Sequence, residues 1–93
     1  MHASIRRYKS SDVAEAGRRA SEGFVPIASD MPGVSAWYLV DTGDGTLTTI
    51  TLCDDAAAVD ASVKAAGEWV RDNIPDLVQG SPEVTNGEVL AQT

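Results

Sequence analysis

Apolar positions recur with two different periods along this chain, and the two periods divide it into six elements. "ASIRRY" (3–8) alternates and is rich in β-branched and aromatic residues, which predicts a strand. Ser10, Ser11 and Asp12 then offer capping oxygens, and Asp12 with Glu15 has capping-box spacing. From Val13 the small or apolar positions Ala16, Gly17, Ala20, Phe24, Ile27 and Ala28 recur at helical spacing. Pro26 interrupts that run and predicts a kink or break between Glu22 and Val25. "DMPG" (30–33) is a turn. "VSAWYLVD" (34–41) and "TLTTITLC" (46–53) are strands joined through the glycine-rich "TGDG". Asp54 or Asp55 caps a second helix, whose stripe runs Val59, Val63, Ala66, Val70, Ile74 until Pro75 stops it. "PDLVQGSPE" is expected to carry the chain around to a last strand at 83–91.

The order β-α-β-β-α-β predicts an α+β fold of the ferredoxin-like kind, a four-stranded antiparallel sheet with two helices on one face. Such a layer leaves its other face bare. On the second strand Val34, Ala36, Tyr38 and Val40 point one way, and Trp37 and Leu39 point the other with Ser35 and Asp41. Large apolar groups on both faces predict that the bare face packs against a second copy about a two-fold axis. We assign Tyr38 to the core and Trp37 to the dimer face, so that Trp37→Asp should give monomer or aggregate.

Composition narrows the function classes. Ninety-three residues make one domain, residues 1–93, with a modest core for which association is a common remedy. A net charge of −7, with five arginines and two lysines scattered, excludes a nucleic-acid surface. No stretch reaches the ~20 apolar residues of a membrane span, and "MHASIRRYKS" lacks the apolar run of a signal peptide. A cytoplasmic protein without membrane contact is expected. Arg6 and Arg7 on the first strand are expected to pair with Glu83 or Glu88 on the last.

Three motifs with chemical potential are set aside. "DTG" at 41–43 resembles the catalytic loop of retroviral-type aspartic proteases, but two long helical patterns and Asp44 after the glycine do not fit that fold. A shared-proton carboxylate dyad needs a buried loop, and Asp41 reads as the shoulder of a hairpin. Glycines at the third and fifth positions also exclude a calcium loop. Cys53 is alone, with only His2 available to activate it, and reads as a small buried hydrophobe. No Cys/His cluster exists to hold a metal.

The element order, "MPGVSAWYLVD" after the first helix, the hairpin and "EWVRDNI" closing the second helix resemble the dimeric α/β-barrel superfamily over Ala3 to Ala91. Within it, the small bacterial proteins related to antibiotic-biosynthesis monooxygenases are the nearest in pattern. The resemblance implies a homodimer closing into an α/β barrel, with a small apolar pocket between helices and sheet. It also implies cofactor-independent oxygenation or binding of a small aromatic or polyketide-like molecule. Tyr38, Trp69, Asn73 and Arg7 are the residues that would hold such a ligand, and no catalytic residue is assigned. Haem is not implied, because no histidine accompanies Trp69 and Asn73 on the helix. Packing roles compete throughout, since Trp69 borders the buried stripe. A non-catalytic, stress-related or accessory ligand-binding dimer is the alternative, and an isomerase or lyase using Glu22 or Glu68 is a third. A pocket with a tyrosine, an arginine and a closed apolar wall favours the oxygenase; a filled core favours a structural role.

Overall fold

The computed structural model describes all residues, Met1–Thr93. Strand β1 (His2–Ser10) leads into helices α1 (Val13–Gly23) and α2 (Val25–Asp30), then strands β2 (Val34–Gly43) and β3 (Thr46–Cys53). Helix α3 (Ala56–Asn73) and strand β4 (Val78–Glu88) complete the chain. The four strands form one antiparallel sheet in the order β2-β3-β1-β4, the ferredoxin-like arrangement, with the helices on one face.

Local chemistry accounts for most boundaries. The Asp12 carboxylate accepts the Glu15 backbone N–H at 3.1 Å and starts α1. The reciprocal half of the capping box is absent, because the Glu15 carboxylate turns to Arg18 at 2.7 Å and Arg19 at 3.3 Å. Pro26 sits in the first turn of α2, where its missing N–H has no helical partner to lose. The break between α1 and α2 therefore falls where Pro26 predicts it. Asp55 caps α3 by accepting from the Ala58 N–H at 2.8 Å.

The β2–β3 hairpin turns on Asp44 (φ 55°) and Gly45 (φ 72°), two consecutive positive φ values that suit the twist of the flanking strands. The Asp41 carboxylate accepts the Gly43 N–H at 3.0 Å on the exposed shoulder of that turn, so Asp41 is a hairpin residue.

Two expectations need correction. Strand β4 begins at Val78, not at 83, because Val78 and Gln79 already pair with Ser10 and Lys9. The register then slips between Lys9 and Arg7, and Gly80 (φ 70°), Ser81 and Pro82 fall in that irregularity. A Gly-Ser-Pro stretch tolerated as a bulge on an edge strand reads in sequence as a loop. The faces of β2 are also reversed. Trp37 and Leu39 lie opposite Thr51 and Thr49 and pack under the helices, while Tyr38 and Val40 lie on the open face.

The core is two small clusters. Tyr8, Ala16, Leu47 and Ile74 form one, and Phe24, Ala28 and Ala66 the other. Trp69 packs against both and joins them. No helix is long and apolar enough to cross a membrane.

Candidate functional site

Strand alternation on β1 sends Ser4, Arg6 and Tyr8 under the helices, and β2 sends Trp37 and Leu39 to the same side. Between these strands and the helices lies a cavity of about 40 Å³. Its walls are almost wholly apolar, with Phe24, Trp37, Leu39 and Trp69 as the large groups. Arg6, Thr49 and Tyr8 are its polar contributors. The aromatic wall interlocks: the Phe24 ring lies 5.3 Å from Trp37 and 5.8 Å from Trp69, tilted by 58° and 59°. Trp69 can lie there because position 23 has no side chain. A Cβ on Gly23 would come within 2.8 Å of Trp69 Cζ2 and 3.2 Å of its Nε1.

Arg6 is the unusual group. It is 1 % exposed, and no carboxylate pairs with it. Its Nε donates to Thr49 Oγ1 at 3.1 Å, Nη2 to Thr51 Oγ1 at 3.2 Å, and Nη1 to the Ser62 carbonyl at 3.3 Å. These are neutral acceptors. Burial lowers the Arg6 pKa, against the opposing influence of Tyr8 and Cys53 nearby. Burial likewise raises the Tyr8 pKa, with Arg6 opposing, so the phenol stays protonated at neutral pH. The Trp37 indole N–H is buried and has no acceptor. Behind Trp37, between α2 and the start of β2, an open cleft of about 250 Å³ is lined by Val25, Ala28, Val34 and Ala36. Trp37 is a wall of both spaces.

Of the four residues expected to hold a ligand, only Trp69 lines the cavity. Tyr38 is 54 % exposed on the opposite face of the sheet. Arg7 is exposed on that same face, opposite Glu83 in register but in no ion pair, and Asn73 is exposed at the end of α3. The Asn73 side chain donates to the Trp69 carbonyl at 2.9 Å and so steadies the helix end. The expected pairing of Arg6 with a β4 acid is also corrected, since Arg6 turns inward. Arg6, Tyr8 and Trp37 are the polar-tipped lining residues that were not expected at a ligand site from the sequence. The available signal was their shared parity with Ser4 and Leu39.

Glu22 and Glu68 lie outside the cavity, both exposed, and Glu22 is bound to Arg18 at 3.1 Å. Neither acid is placed to act on a molecule held in this cavity. Cys53 is fully buried and its pKa is raised by that burial, a packing role. No group of three or more His, Cys, Asp or Glu side chains is placed to hold a metal.

No protein-family model matches the chain, and no curated protein matches it in sequence. Solved structures do match in shape. The NE2512 protein of unknown function from Nitrosomonas europaea is 24% identical with a TM-score of 0.80, covering 99% of this chain and 91% of its own. A candidate antibiotic biosynthesis monooxygenase from the same organism is 16% identical with a TM-score of 0.77, covering 98% and 100%. SnoaB, a cofactor-independent oxygenase from Streptomyces nogalater, is 14% identical with a TM-score of 0.72, covering 99% and 94%. The chain thus has the ferredoxin-like fold of the antibiotic-biosynthesis-monooxygenase-like proteins. At these identities the likeness establishes fold and no specific activity.

Proposed function

We propose that this chain is a cytoplasmic homodimer that takes a small aromatic molecule at the cleft and cavity on either side of Trp37 and supports cofactor-independent, monooxygenase-type oxidation of it. The cavity itself carries the reading. Its lining combines an arginine, a tyrosine and an aromatic wall, and the 250 Å³ cleft on the other side of Trp37 supplies the room that its own 40 Å³ does not. The fold shared with a cofactor-independent oxygenase supports it further. In such chemistry the substrate supplies all the electrons. An activated CH2 loses a proton to give an electron-rich carbanion, which oxygen attacks. Two C–H bonds break, one oxygen atom remains as C=O, and the other leaves as water with both hydrogens. The protein would exclude water and hold the oxyanionic form of the substrate with fixed N–H donors, for which Arg6 and Trp37 are the candidates among the lining residues.

The dimer reading rests on the open face of the sheet. Ala3 and Ile5, Ile50 and Leu52, and Ala36, Tyr38 and Val40 form an apolar surface across three strands. Oxygen uptake with anthrone or hydroquinone substrates tests the enzyme reading, and one mole of oxygen should be consumed per mole of anthrone, above the spontaneous rate. One observation favours a non-catalytic binding protein instead, because no carboxylate or histidine lines the cavity to take the substrate's proton. Ligand binding without uptake across the panel would decide for that alternative.

A further inference from the structure

We propose that the second copy of the chain roofs the cleft behind Trp37, so that the aromatic ligand and the dimer stabilise each other. This rests on both the ligand and the dimer of the proposed function and adds how the one depends on the other.

The cleft sits at a free sheet edge, because β2 is the outermost strand on that side. Val25 and Ala28 of α2 form one wall, and Val34, Ser35, Ala36 and Trp37 of β2 form the other. Paired residues of antiparallel strands share a face. Val34 pairs with the buried Cys53 and so lies on the helix side, whereas Ala36 pairs with Leu52 and lies on the open side. The register shift between them is a bulge at Ser35, and a bulge re-aims side chains at an edge. Without it, Val34 and Ala36 would share one face. The cleft therefore runs round the edge of the sheet, from Trp37 under the helices to Ala36 on the open face. Ala36 belongs to both the cleft and the proposed dimer surface, with Tyr38 next to it on the same side.

Area decides whether a partner on the open face reaches that mouth. Four strands spaced ~4.8 Å apart cover roughly 19 Å, and lengths of 8 to 11 residues at ~3.3 Å each give roughly 26–36 Å. The whole face thus offers roughly 500–700 Å² in projection. A stable interface takes ~800 Å² of accessible surface from each partner. Even with the relief that side chains add, an interface of that size takes up the whole face, so Ala36 on β2 falls beneath the partner.

The cleft needs such a cover. Small-molecule sites bury roughly 70–90% of the ligand's surface, whereas this cleft is open to solvent and leaves Val25 41 % exposed on its rim. Hiding about 60 Å² more of an aromatic ligand corresponds to about a tenfold gain in affinity. Linkage is reciprocal, so each bound molecule tightens the dimer by that same factor, and two bound molecules by about a hundredfold.

The test uses the full-length protein with hydroquinone and with anthrone, kept under nitrogen so that neither is turned over. Tryptophan fluorescence follows binding at protein concentrations well below and well above the dimer dissociation constant, which sedimentation equilibrium gives with and without the probe. Either probe should bind the dimer about tenfold more tightly than the monomer, and at saturation it should tighten the dimer about a hundredfold. Tyr38→Asp and Ile50→Asp, each outside the cleft and cavity walls, should show the weaker monomer affinity at every concentration. Equal affinity for monomer and dimer would overturn the roofing and leave both the ligand and the dimer readings standing. Tighter binding to the monomer would also overturn it, since the partner would then fill the mouth instead of covering a ligand. Binding to a protein that stays monomeric with and without probe would remove the dimer reading and this inference with it. A dimer that takes up neither probe would remove the ligand reading and this inference, and leave the dimer. If one variant does not fold, the other and the wild-type dilution series decide.

Discussion

Tyr38→Asp should separate the proposed dimer into folded monomers. Tyr38 is 54 % exposed in the single chain, on the face where Ile50 lies directly opposite it. A tyrosine presents about 200 Å² of surface, so roughly 110 Å² would be hidden by a second sheet, worth ~2.7 kcal/mol at ~25 cal/mol per Å². A two-fold interface contains the residue twice, which makes the loss ~5 kcal/mol, or nearly four decades in the dissociation constant. Facing carboxylates would add to that. Sedimentation equilibrium from micromolar to submillimolar protein reads the constant directly, and near-UV circular dichroism checks that the monomer keeps its packing. Trp37→Asp is the control. It would place a carboxylate against an apolar wall under the helices and should cost folding, at ~3 kcal/mol or more, before it affects assembly. A Tyr38→Asp constant within tenfold of the wild type, or a wild type monomeric throughout, would refute the argument.

Gly23→Ala should destabilise by about 1–2 kcal/mol in urea, because overpacking against Trp69 exceeds the ~1 kcal/mol of helix propensity gained, and Trp69 fluorescence should shift. Gly45→Ala should lose about 1 kcal/mol or more, since φ is 72° and its Cβ would meet the Ser10 carbonyl at 3.2 Å; an unchanged urea midpoint would argue against the two-residue turn. Arg18 and then Arg19 hold the Glu15 carboxyl at about 2, below its ordinary value near 4.5. The Glu15 contribution is therefore present above pH ~4.5 and lost as pH falls towards 2, so Glu15→Gln should flatten that part of the acid limb of the thermal midpoint. The pair is exposed, and the change should shrink in high salt.

How much was legible depended on whether one period dominated. The α3 stripe through Val59, Ala66 and Ile74 has a single helical solution, and all three are buried. The Asp-Gly turn fixed the hairpin for the same kind of reason, since few residue pairs accept two positive φ values. On β2 the pattern was ambiguous because both parities carry large apolar groups. The choice between Trp37 and Tyr38 is made by pairing with β3 and by the fit of Phe24 against Trp37, neither of which is local. Arg6 and Arg7 are adjacent and identical in sequence, and both were read as surface charges. Only the strand's parity distinguishes them, and a charged residue sent inward runs against the usual rule. The site was hidden for that reason.

The polarity of the central strands is inverted, and this inversion argues that the single chain is incomplete. Under the helices, the middle rows of β1 and β3 carry Ser4, Arg6, Thr49 and Thr51, all buried. On the open face the same strands carry Ala3, Ile5, Ile50 and Leu52. A sheet covered on one side normally places apolar residues beneath its helices and polar ones towards water. Burial of Ile5 and Ile50 by a second copy would remove the conflict on one face, but it would do nothing for the unsatisfied Ser4 hydroxyl or the uncompensated Arg6 charge on the other. A second sheet therefore accounts for the apolar open face and not for the buried charge, and disrupting the proposed dimer through Tyr38 should leave the Arg6 network and the packing under the helices intact, which an unchanged near-UV circular dichroism spectrum would check.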